Sequence, residues 1–224
     1  ALQKLPYDPV RSFAPIAKLG NGPYSLVVHP SVAASSVKEF IALLKQKPGQ
    51  LIFSTAGITG INHMAAELLK QMTATDFKIA HYKGGGPALL AVVGGHANAE
   101  IASLSTAMPQ ITSGKLKVLA ICGVNRSPLL PDVPTVAESG LRDYEISGFW
   151  GILAPARTPA PIVDRLAKEI KAILATNEAK KVIESQGSVV DYLGPAELGK
   201  FLEKQISTWT SVAKKANIKL EDQN

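Results

Sequence analysis

Ser54-Thr55-Ala56-Gly57-Ile58-Thr59-Gly60-Ile61-Asn62-His63 joins a short apolar run, Leu51-Ile52-Phe53, to a segment in which Ile61, Met64, Ala65, Leu68, Leu69 and Met72 recur at helical spacing. The order is therefore strand, small-residue turn, helix start. A helix N-terminus presents N–H groups without intrahelical acceptors and a partial positive charge. In open α/β sheets ligands collect beyond the carboxyl ends of parallel strands. The turn reads as an anion seat, with its backbone amides and the Ser54 and Thr55 hydroxyls as donors. The plain alternatives are a glycine-rich β-α turn and, for Ser54, a strand-end hydroxyl. No Walker lysine or dinucleotide glycine pattern accompanies the turn, and no cofactor is expected.

Outward from the turn, strand and helix signals alternate from Leu26 to Ile121, the mark of βαβ units around a parallel sheet. Leu26-Val27-Val28 reads as a strand. Ser36 and Glu39 form a capping box ahead of Val37, Phe40, Ile41 and Leu44, and Lys47-Pro48-Gly49 ends that helix. Phe77–Ala80 is a further strand, followed by Tyr82 and Lys83 and by Gly84-Gly85-Gly86-Pro87, a second glycine loop whose helix start is another donor set. A strand over 97–101, a helix through Leu104 and Ile111 and a strand over 118–121 follow. Beyond a proline-rich region at 127–134 the pattern predicts a short helix to Gly140, an aromatic strand from Tyr144 to Leu153, and helices over roughly 163–174, 178–185 and 195–216. The strand over 144–153 needs sheet partners from elsewhere.

Composition narrows the function. The chain carries 24 Lys and Arg against 18 Asp and Glu, a net charge of +6, but the basic residues are dispersed along solvated helix faces, so nucleic acid is not an expected partner. No apolar run approaches the ~20 residues that cross a bilayer, and Ala1-Leu2-Gln3-Lys4 begins nothing like a signal peptide. The single cysteine, Cys122, reads as a small buried hydrophobe. His29, His63, His81 and His96 form no metal spacing, and His63 at the start of its helix is placed to orient the turn. Ser54 and His63 lie in no nucleophile elbow, so catalysis is not expected.

An ordered set of stretches then carries a resemblance: Leu5-Pro6-Tyr7-Asp8-Pro9, Phe13-Ala14-Pro15-Ile16, Leu26-Val27-Val28-His29-Pro30-Ser31, Ser54-Thr55-Ala56-Gly57, Tyr82-Lys83-Gly84-Gly85-Gly86-Pro87-Ala88, Ser113-Gly114-Lys115-Leu116, Arg126-Ser127-Pro128, Pro131-Asp132-Val133-Pro134-Thr135 and Leu153-Ala154-Pro155-Ala156. Together they resemble the solute-binding proteins of tripartite tricarboxylate transporters, the Bug family. The resemblance implies a periplasmic, two-lobed α/β protein of the type II binding-protein fold with mostly parallel sheets. It implies a small organic acid held in the cleft and handed to membrane transporter subunits. On that template one lobe is 26–122, and 1–25 with 123–224 form the other. The implied ligand-binding set is Ser54, Thr55, Ala56, Gly57, Tyr82, Lys83, Gly84, Gly85, Ser103, Phe149 and Trp150, with the two aromatics on the cleft wall.

Two departures from the family pattern add expectations. Family members begin well before Leu5, so the first lobe is expected to be incomplete, and either completed by an N-terminal fragment or second chain, or left as a remnant that binds nothing. The family commonly carries aspartates where Asn98 and Ala102 stand, which favours plain carboxylates over amino acids. The ligand-sensing domain of a transcription regulator is a further alternative, although no helix-turn-helix accompanies this chain.

Overall fold

The computed structural model describes residues 6–58, 60–185 and 187–218. Thr59 of the turn, Leu5 and the Ala1-Leu2-Gln3-Lys4 start lie outside the described residues. In chain order the elements are β1 (Phe13–Val28), α1 (Val37–Gln46), β2 (Ile52–Thr55), α2 (Ile61–Thr73), β3 (Lys78–His81), α3 (Gly85–Val93), β4 (Ala99–Ser103), α4 (Leu104–Thr112) and β5 (Lys117–Ile121). They continue as β6 (Ser147–Pro155), α5 (Ala160–Leu174), α6 (Asn177–Ser185), β7 (Val189–Leu193) and α7 (Pro195–Lys215). The chain divides into two compact units, one of residues 23–148 and one of 6–22 with 149–218.

Unit 23–148 is an α/β layer built on strands in the order β3-β2-β4-β1-β5. The sheet is mixed. β2 runs parallel to β3 and β4, whereas β1 is antiparallel to both β4 and β5. Leu26-Val27-Val28 of β1 and the stretch Leu119–Cys122 at the end of β5 are buried, which is why they read as unbroken apolar runs. Helix α1 begins as the sequence predicts: Ser36 Oγ accepts from Glu39 N at 3.2 Å, while the Glu39 carboxylate accepts from Ser35 N at 2.7 Å. Phe40 and Phe77 close on Phe53 from either side, with ring centroids 5.8 and 4.1 Å away.

The unit runs on past Cys122 to Gly148. Ile121 N donates to Pro134 O, Val136 N to Ile121 O, and Ile146 N to Cys122 O at 2.7 Å, while the buried Tyr144 hydroxyl donates to Ala65 O of α2 at 3.0 Å. The short helix expected up to Gly140 does not form. Thr135 and Glu138 do cap each other, Glu138 N to Thr135 Oγ1 at 3.0 Å and Thr135 N to Glu138 Oε2 at 2.7 Å. The chain makes one turn there, Ser139 N donating to Thr135 O at 3.1 Å, and Gly140 at φ +113° ends it. Cys122 is fully buried, and burial pushes its thiol up.

In unit 6–22 with 149–218, β1 is paired by β6 and, antiparallel, by β7, so the strand expected over 144–153, which forms over Ser147–Pro155, finds its partner in β1. Helix α5 lays Val163 and Ala167 on Ile16 and Ala17 of β1. Gly20 is required where it stands, since a Cβ there would lie 2.6 Å from the Val189 carbonyl oxygen. Strand β7 escaped the sequence pattern because Asp191 interrupts its apolar run. The reason for an acid at this position is Lys18, 3% exposed, whose Nζ lies 2.7 Å from Asp191 Oδ2 and 4.4 Å from the centre of the Phe201 ring.

Candidate functional site

β3, β2 and β4 are adjacent and parallel, so their carboxyl ends share one edge of the sheet. Each end passes within a few residues into a helix: β2 into α2 through N-cap Gly60, β3 into α3 through N-cap Gly84, and β4 directly into α4 through N-cap Ser103. None of these caps makes a side-chain hydrogen bond to the backbone of its helix. Among the described residues no N-cap side chain therefore takes up the first-turn N–H groups of these helices, and three partial positive charges meet on one edge.

The two glycine turns are tied together. Tyr82 N donates to Thr55 O at 2.8 Å, and a Cβ on Gly57 would lie 4.0 Å from Tyr82 O. Gly57 at φ +131° and Gly84 at φ +108° take backbone conformations that favour glycine. In front of Gly84, Gly85 and Gly86 a Cβ would meet nothing within 4 Å. Ala56 and Gly57 are partly exposed, Lys83 is exposed, and Tyr82 packs its ring against the core. Ser103 Oγ lies 3.0 Å from Ser105 Oγ.

The hydroxyls of Ser54 and Thr55 differ from the expectation. Thr55 is fully buried and shares a 2.7 Å hydrogen bond with His81 Nδ1. Ser54 is 1% exposed, its Oγ lying 3.4 Å from Glu100 Oε2 and 3.5 Å from the Ala99 carbonyl oxygen. Both are engaged inside the unit, and what this turn presents outward is backbone. His63 holds the turn from behind: its Nδ1 bonds the Ile58 carbonyl and its ring stands edge-on to His81, centroids 4.7 Å apart. Burial, and secondarily His63, lower His81. Phe149 and Trp150 belong to the other unit. There Phe149 meets Phe201 edge-on at 4.9 Å, and the half-exposed Trp150 lies over Gly22.

Sequence reasoning missed Glu100. It is 1% exposed and is held by Asn62 Nδ2, which donates to Oε1 at 3.2 Å, and by Ser54. Burial pushes its carboxyl up to about 7, against the lesser lowering effect of the Asn62 and Ser54 hydrogen bonds. The folded protein thus holds a proton that the unfolded chain releases, and stability falls as pH rises from about 4.5 to about 7. A displacement of this size corresponds to roughly 3 kcal/mol. Glu100→Gln is expected to flatten that slope; thermal melts at intervals across this range check it, and an unchanged slope refutes the assignment. The signal available in the sequence was a lone acid inside Ala97–Ala102, where its neighbours mark a strand buried on both faces.

Residues 1–218 match the family described as Tripartite tricarboxylate transporter family receptor, TctC. The chain belongs to the TctC family. This is a family of solute-binding receptors rather than enzymes. The TctC chain is 28% identical over 220 residues to Protein BugT of Bordetella pertussis, covering 98% of this chain and 68% of BugT. It is 27% identical to a relative from Agrobacterium vitis, of which it spans 62%. Among solved structures it resembles Rpa4515 of R. palustris with adipate (TM-score 0.85, 28% identity, 98% of this chain and 73% of that one). It also resembles MatC from Rhodopseudomonas palustris with bound malate (TM-score 0.77, 28% identity, 94% and 72%). Among the described residues of this TctC chain, no helix is long and apolar enough to cross a membrane, and no group of three or more His, Cys, Asp or Glu could hold a metal ion.

Proposed function

We propose that this TctC receptor captures a small organic carboxylate in the periplasm and delivers it to the membrane subunits of a tripartite tricarboxylate transporter. The observation that carries the reading is the convergence of three helix starts without side-chain caps on one sheet edge, with open space before Gly84–Gly86. Micromolar affinity corresponds to about 8 kcal/mol, each charge-assisted hydrogen bond nets roughly 1.5–3 and each helix end about 0.3–1. Three or four backbone N–H contacts therefore suffice without an arginine. Ala56, Gly57, Gly84, Gly85 and Ser103 supply the donors in this proposal, with Ser54, Thr55 and Tyr82 shaping the turns and Lys83 adding charge. Asn98 supports backbone, its Oδ1 accepting from Ile52 N at 2.8 Å, and Ala102 offers no charge, so plain dicarboxylates are favoured over amino acids.

Calorimetric titration with adipate, malate and aspartate tests this. Both plain acids are expected to bind and aspartate to bind more weakly; absence of heat for every acid refutes the reading. Gly85→Val places a side chain in the open space at the start of α3. It is expected to weaken adipate at least tenfold while leaving the melting temperature within a few degrees, because a helix position tolerates valine no worse than glycine. Unchanged affinity would remove the α3 turn from the site.

A further inference from the structure

Glu100 stands where the donor turn and its helix are fastened together. Its Oε2 meets Ser54, the residue opening the turn, and its Oε1 meets Asn62 in the first turn of α2. None of the ion pairs among the described residues includes it. The geometry accommodates a proton: with Oε2 protonated, it donates to Ser54 Oγ, Ser54 donates on to the Ala99 carbonyl oxygen, and Asn62 donates to Oε1, one proton per contact. With the proton gone, a buried carboxylate lies behind a turn whose amides are meant for an anion, a like-charge arrangement with no cation to relieve it.

We propose that Glu100 is a positioning residue for the anion seat that acts in its protonated form, so that capture of a carboxylate is linked to proton uptake at this side chain. The inference rests on the reading of the edge as a carboxylate seat. The ionisable groups on the elements packed against β4 are Tyr24 on the 23–28 part of β1 and His63, Glu67 and Lys70 on α2; β2, α3 and α4 carry none. Tyr24 is raised by burial and then by Glu100 itself, and stays neutral in the relevant range. His63 lies 3.9 Å from Glu67 and faces His81 on β3, whose imidazole is lowered by burial and then by His63. His81 is controlled for by substitution.

Titration calorimetry with adipate at pH 6 and pH 8, in two buffers of different ionisation enthalpy, measures affinity and protons exchanged together. For the natural chain the affinity is expected to fall roughly three- to tenfold from pH 6 to pH 8, with a fraction of a proton taken up on binding. Glu100→Gln, which keeps a neutral hydrogen-bonding group, is expected to bind equally at both pH values with no uptake. Glu100→Met, neutral without the hydrogen bonds, is expected to lose the pH dependence too, and to bind more weakly. His81→Gln is expected to retain most of the dependence. The inference is overturned if Glu100→Gln keeps the natural pH profile, or if His81→Gln abolishes it. If the natural chain takes up no adipate at either pH and no malate, the carboxylate reading falls and this inference with it, an outcome distinct from binding with an unaltered profile.

Discussion

Phe53→Ala is expected to destabilise unit 23–148 by about 3–5 kcal/mol, the range for emptying a well-packed phenylalanine site. Phe53 is 0% exposed and sits on β2 between Phe77, stacked at 4.1 Å, and Phe40, tilted at 5.8 Å. Neither ring can follow the lost volume easily. Phe40 is fixed by α1, and Phe77 is the residue that starts the chain into β3. Deletion therefore leaves a cavity rather than a collapsed wall, and that term adds to the lost transfer energy. Phe53→Leu, closer in volume, is expected to cost less than half as much. Urea titrations of both variants give the comparison. A loss under about 1 kcal/mol for the alanine variant would mean that the aromatic stack repacks and that its neighbours are not rigid.

Asp191→Ala is expected to cost about 1–3 kcal/mol in the other unit, because it strands a buried ammonium, although the Asp191 side chain is itself 39% exposed and water can reach the vacated position. Lys18 Nζ has Asp191 Oδ2 at 2.7 Å and the Phe201 ring at 4.4 Å, and only 4% of its side chain reaches solvent. The carboxylate also accepts from Asn21 Nδ2, so its loss leaves two groups short of an acceptor. Removing both charges tells stranding apart from loss of the pair itself. Lys18→Met with Asp191→Leu is expected to recover most of the stability, since replacing a buried pair by apolar groups is commonly neutral or favourable. Denaturant unfolding of the single and double variants decides. A double variant as unstable as Asp191→Ala would show that the ion pair contributes net stability rather than merely avoiding a penalty.

The parts of this molecule legible in its sequence are those governed by neighbours a few residues away. Ser36 and Glu39 announce α1, the apolar spacing after Gly60 announces α2, and Gly84–Pro87 announce α3; each agrees with the fold to within a residue or two. The two glycine turns were legible for the same reason, as both are local. What the sequence concealed depends on distant partners. Ser54 and Thr55 look like available hydroxyls until Glu100 and His81, 46 and 26 residues away, are seen to engage them. Asp191 disguises β7 because its partner, Lys18, comes from the far end of the chain. The short helix expected up to Gly140 stops after one turn, where Gly140 takes φ +113°. Pro15, Pro23 and the glycines between them hide the fact that β1 is one strand of 16 residues.

The burial of Cys122 has a practical use. The sequence holds one cysteine, and that one is sealed from solvent with its thiol held in the unreactive form. The natural chain therefore behaves toward maleimides as though it had no cysteine, and any thiol introduced on its surface becomes a unique chemical address. Lys83→Cys, at an exposed position preceding the α3 turn, would seat an environment-sensitive fluorophore beside the donor edge without first rebuilding the protein as a thiol-free variant.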